Sequence, residues 1–93
     1  MGKKSIVQPD ETSCYFCEKV IGLERHHILA GPNRKWSEKF CLTVMLCHDH
    51  HLGKNGVQYN RELGDRLKRT AQKEFESRYS HDEWMRIFRK NYL

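Results

Sequence analysis

Four side chains in two half-sites constrain this chain more than anything else in it: Cys14 and Cys17 near its start, and Cys47 and His50 near its middle. Cys-x-x-Cys is a common zinc half-site. A following Cys-x-x-His completes three thiolates and one imidazole, the donor set of a closed tetrahedral structural zinc site. Cys41 and His48 are rival fourth ligands. Cys41 lies in an apolar strand pattern, where a free cysteine acts as a small buried hydrophobe, so His50 is favoured. A staple of this kind suits a chain of 93 residues, which cannot gain generous stability from apolar burial alone.

The composition describes one small globular domain with a polar surface, at 38% hydrophobic and 31% charged residues. Seventeen Lys and Arg against 12 Asp and Glu give a formal charge of +5, which favours a polyanionic partner without naming one. Four cysteines could instead form two disulfides in a secreted protein. However, Met1-Gly2-Lys3-Lys4-Ser5 leads into polar residues with no apolar signal core, and no stretch approaches the ~20 apolar residues of a membrane span. The expected setting is therefore a reducing cytoplasm, where such spacing means metal, and no membrane partner.

Residues 1–13 are polar, carry Pro9-Asp10, and read as a flexible, extended N-terminal arm. Residues 14–93 read as a single domain, with a metal-bound core over 14–56 and a helical extension over 57–93. Lys19 to Leu23 is a first short apolar segment with a turn glycine, Glu24 to Leu29 a second candidate strand, and Ala30-Gly31-Pro32-Asn33 a turn. Phe40 to Leu46 has the apolar, β-branched content of a strand that pairs with Glu24 to Leu29. Cys47 to Leu52 reads as a short helix stopped by Gly53 and Gly56. Tyr59, Leu63, Leu67, Ala71 and Phe75 recur every four residues and predict an amphipathic helix over 59–79. Ser80 and Glu83 have the spacing of a capping box for a last helix with Trp84, Ile87, Phe88 and Tyr92. The fold class is thus α+β: a zinc-stabilised ββα unit with two C-terminal helices packed on it.

Three further histidines surround the half-sites. On a pleated strand His26 and His27 point to opposite faces, so one can ligate a metal while the other faces a substrate. On the short helix Cys47 and His50 share a face, which turns His51 towards another site. Arg34, Lys35 and Lys54 are candidate phosphate contacts, whereas Arg66, Lys68 and Arg69 alternate with acidic residues and read as a solvated helix face. Trp36 reads as core.

The order Cys-x-x-Cys, His26-His27 followed by an apolar residue, and Leu46-Cys47-x-x-His50-His51 resembles the HNH endonucleases of the ββα-metal, treble-clef class. Phe40 to His51 is similar, more narrowly, to phage-borne HNH proteins of the recombination-enhancement, RecA-dependent nuclease type. The resemblance spans Cys14 to about Lys54. It implies hydrolysis of DNA phosphodiester bonds with His27 as general base, His26 and His51 as ligands of one catalytic divalent ion, and Lys54 at a basic position of the motif. An imidazole, titrating near pH 6.5, suits a base at neutral pH. The ion would be Mg2+, Mn2+, Zn2+ or Ni2+, with two imidazoles disfavouring magnesium. Where the family carries a central asparagine this chain has Leu42, with Asn33 and Asn55 as possible spatial replacements.

The resemblance also implies a bacterial host cell with a phage or prophage gene, and use in recombination or packaging. Partners would be DNA and a recombinase–DNA filament or packaging protein, with the chain a monomer or homodimer. A competing reading keeps the fold and the zinc but not the catalysis: a binding module that attaches to DNA or to a protein. A pure binder has no need of His26, His27 and His51 around a second cation.

Overall fold

The computed structural model describes residues 4–54 and 56–93. The near-continuous apolar run Leu42 to Leu46 is the pattern of a strand covered on both faces, and strand β2 (Thr43–Leu46) is accordingly almost fully buried. It pairs antiparallel with the polar strand β1 (Glu24–His27), which sets Glu24 opposite Leu46, Arg25 opposite Met45, His26 opposite Val44 and His27 opposite Thr43.

The chain between the strands does more than turn. A 3-10 turn (Gly31–Asn33), with Pro32 pre-setting the φ of its second residue, runs into a short helix α1 (Arg34–Lys39) that the sequence did not announce. Six residues are too few to display helical periodicity. Buried Ser37 ties α1 to the end of the hairpin strand: its hydroxyl accepts from the Leu29 amide at 2.9 Å and donates to the Leu29 carbonyl at 2.8 Å. The expected strand from Phe40 is shortened at its start, because Phe40 caps α1 and Cys41 takes a left-handed φ of 59°. No strand forms over Lys19 to Leu23 either; Val20 and Ile21 are exposed, and Gly22 turns the chain at φ 68°.

The opening segment, expected to extend freely, lies along the outer edge of β2. An unpaired strand edge presents bare amides and carbonyls, and residues 5–15 satisfy them. The Ser5 hydroxyl donates to the Thr43 carbonyl, the Gln8 side chain accepts from the Met45 amide at 2.8 Å, and the Tyr15 amide donates to the Met45 carbonyl at 2.8 Å. Glu11 adds an ion pair to Arg25 at 2.7 Å.

Helix α2 (His48–His51) is a single turn begun by Cys47, whose carbonyl accepts from the His51 amide at 2.9 Å. The chain then folds back so closely that a Cβ at Gly56 would lie 2.7 Å from the His50 backbone, which explains glycine there. Helix α3 (Arg61–Arg78) starts at Asn60, whose side chain accepts from the Leu63 amide. It buries Leu67, Ala71 and Phe75 at the expected four-residue spacing, while Tyr59 stays outside it and exposed. Helix α4 (His81–Phe88) is capped by Ser80, but the Glu83 carboxylate pairs with Arg86, so the capping box closes on one side only.

Tyr92 lies beyond α4. Buried Gln72 on α3 draws the tail back, donating to Asn91 and accepting from the Tyr92 amide, both at 2.7 Å. One core runs from the hairpin residues Ile28, Leu42, Val44 and Leu46 into Leu67, Phe75, Trp84 and Phe88 of the two long helices. The molecule is a small α+β domain: a ββα unit with two C-terminal helices packed against it.

Candidate metal centre and histidine face

Cys14, Cys17, Cys47 and His50 converge, with one ligand atom from each lying within 4.8 Å of every other. The backbone explains why. The Cys14 amide donates to the Lys19 carbonyl at 2.9 Å and tightens the knuckle, and the Tyr15 amide bond to Met45 seats that knuckle beside Cys47 at the end of β2. The α2 turn then brings His50 Nδ1 to 3.2 Å from Cys47 Sγ.

The cluster fits zinc. Tetrahedral Zn–S bonds of about 2.3 Å place sulfurs about 3.8 Å apart and sulfur from nitrogen about 3.6 Å. Here Cys17 Sγ and Cys47 Sγ are 3.8 Å apart, and Cys14 Sγ and His50 Nδ1 3.7 Å. Burial opposes ionisation of Cys14 and Cys47, but neighbouring backbone amides outweigh it and hold both thiols below their ordinary value. Cys17 goes the other way: its Lys19 backbone bond lowers it, and burial together with the Cys14 and Cys47 thiols raises it more. Crowded sulfurs of this kind are what a cation relieves. The rival ligands lie elsewhere, Cys41 in the core and His48 beside Glu24.

The strand pleat divides the other histidines. Glu24 and His26 share the face of β1 that meets α2, where the His26 and His51 rings lie 5.2 Å apart edge to face. Two imidazoles sharing one ion at about 2.1 Å have centroids roughly 5 Å apart, so the spacing suits a shared cation. Glu24 holds the His51 ring. A carboxylate only accepts, so His51 Nδ1–H donates to Glu24 at 2.8 Å, which leaves Nε2 as the ring nitrogen outside that bond. That bond is the largest influence holding Glu24 below the usual carboxylate range. His26 is pushed down to about 4, chiefly by burial and then by His51, His27 and Lys68, so it is a neutral imidazole at physiological pH.

His27 faces the other way, towards α1, and its Nε2–H donates to Glu38 at 2.6 Å. The His27 bond is in turn the main cause of a lowered Glu38 carboxyl. The structure therefore joins His26 to His51 and separates His27 from them by the thickness of β1. Among the described residues the Cys3His cluster is the one place where three or more metal-ligand atoms gather; Glu24, His26 and His51 do not converge to that degree.

Of the candidate phosphate contacts, Arg34 and Lys35 are exposed on α1 and Lys54 on the loop after α2. Lys35 and Lys39 hold their ammoniums 5.2 and 5.5 Å from the Trp36 ring, which is half-buried against Phe40. Leu42, at the asparagine position, is fully buried in the core. Asn33 begins α1 with no side-chain cap bond, and Asn55 lies outside the described residues. Two residues of these two faces, Glu24 and Glu38, were missed in the sequence, and Lys68, read there as part of a solvated helix face, is half-buried. Glu24 carried a signal, two positions before His26 and hence on the same strand face. Glu38 carried none, and nothing set Lys68 apart from Arg66 and Arg69, because only the fold brings α1 and α3 to β1.

No family model matches this chain, and no curated protein or solved structure shows a significant match to it. No helix among the described residues is long and apolar enough to cross a membrane.

Proposed function

We propose that this zinc-type ββα module attaches to DNA and acts on it as a metal-dependent endonuclease of the HNH type. The first half asks less of the molecule: a zinc-stabilised module bound to DNA, or to a protein on it, needs only the fold, the Cys3His cluster and a charge of +5. Hydrolysis rests on one observation, the neutral His26 imidazole set against a His51 whose ring Glu24 holds through Nδ1. A scaffold alone has no use for that arrangement.

A divalent ion at His26 and His51 would offset the charge developing on the phosphate and the leaving oxygen. His27 Nδ1 would take a proton from the attacking water as its oxygen bonds to phosphorus, and Glu38 would steady the imidazolium. The bond to the 3′ oxygen breaks, and protonation of that oxygen leaves 3′-hydroxyl and 5′-phosphate ends. Arg34, Lys35 and Lys54 would contact flanking phosphates. The setting would be recombination or packaging of phage or prophage DNA.

One observation favours the non-catalytic reading: His27 and the His26–His51 pair lie on opposite faces of β1. Incubation of zinc-loaded protein and supercoiled plasmid with Mg2+, Mn2+, Ni2+ or Zn2+ separates the two. We expect nicking by the wild type that is lost in His51→Ala and His27→Ala while both retain zinc and fold. DNA binding by the wild type without nicking in any of the four ions would leave a binding module.

A further inference from the structure

We infer that Lys68 is a phosphate anchor, and that the pocket between β1 and α3 takes the sugar-phosphate next to the bond served by His26 and His51. The inference rests on the proposed role of those histidines. The pocket holds 140 Å³, room for several waters at about 30 Å³ each. His26 opens into it, Ile28, Ala30 and Val57 give it an apolar floor, and Gln58 and Lys68 supply polar groups at its wall.

Lys68 differs from its basic neighbours on α3. Arg66 and Arg69 are exposed, whereas Lys68 is half-buried and lines the same pocket as His26. Among the described residues it has no carboxylate partner; what its ammonium does approach is the Tyr92 ring, 5.6 Å away. A partly desolvated cation beside an apolar floor favours a ligand carrying both an anion and hydrocarbon, as a sugar-phosphate does. Gly64, one turn earlier on the same helix face, keeps the space open, since a Cβ there would reach within 3.6 Å of the Val57 carbonyl.

The test is fluorescence anisotropy of labelled duplex DNA with zinc-loaded protein and no other divalent ion, across a salt series. Lys68→Gln should weaken binding about tenfold and lower the salt slope by about one. Arg69→Gln, the same charge change on the exposed face, should cost less than about twofold, and Lys68→Arg should restore affinity. Equal losses in Lys68→Gln and Arg69→Gln, or none in Lys68→Gln, would overturn the anchor. The two proposals fail separately. A wild type that nicks DNA while Lys68→Gln binds normally keeps hydrolysis and removes the anchor; a Lys68-dependent binder that never nicks keeps the anchor and removes hydrolysis, and with it the placement beside a scissile bond. A wild type that does not bind DNA removes both.

Discussion

Beside each face of β1 an imidazole is held by a carboxylate, His51 of α2 by Glu24 and His27 of β1 by Glu38, and these pairs govern what single substitutions will do. Removing the carboxylate behind a metal-bound histidine commonly weakens metal affinity by about 10- to 100-fold. Glu24→Gln should weaken Ni2+ or Co2+ binding by that range in zinc-loaded protein, read by metal titration, with the Cys3His site unaffected. His26 predicts a pH dependence. Folded, it binds a proton only near pH 4; unfolded, it binds one near 6.5. Between those values the unfolded chain holds more protons, so stability is lost as pH falls from about 6.5 to 4. Urea midpoints should drop less steeply over that window in His26→Leu than in the wild type, and NMR should show the His26 ring still neutral at pH 5.

At the scale of elements, the two glycines flanking the histidine face should respond in opposite senses. Gly56→Ala forces a Cβ into the His50 backbone and should cost about 1–3 kcal/mol, with weaker zinc retention, measured by chemical unfolding and metal release. Gly64→Ala meets ordinary contact distance inside α3 and should stabilise by about 0.5–1 kcal/mol. Long elements were readable because their signals repeat: Leu67, Ala71 and Phe75 each mark the same face of α3, and Ser80 marks where α4 begins. Elements of four to six residues were readable only in part. β2 could be recognised by its unbroken apolar run, but α1 has one buried residue, Ser37, whose role is to bond the Leu29 backbone. No periodicity encodes that.

For the whole molecule, the zinc cluster joins the knuckle at Cys14 to the end of the hairpin and to α2, so its loss should not be local. Structural zinc sites contribute about 10–16 kcal/mol in small domains. A strong chelator, or Cys14→Ala, should abolish cooperative thermal unfolding and most helical circular dichroism; a cooperative transition retained without metal would show that the core alone suffices. The four ligands were legible because their spacing is local within each half-site. The histidine face was legible in its members but not in its division: pleating foretold that His26 and His27 part company, while their partners, Glu38 on α1 and Lys68 on α3, depend on tertiary packing. The opening segment was the least legible, since polar Ser5 and Gln8 gave no hint that a strand needed them. They work as a gasket along β2, fastened by polar bonds and by Ile6 and Val7 packed against the core. Trimming the chain to residue 9 would bare a ready template for a second copy, and self-association through that seam, not unfolding, is the first failure such a shortened protein should show.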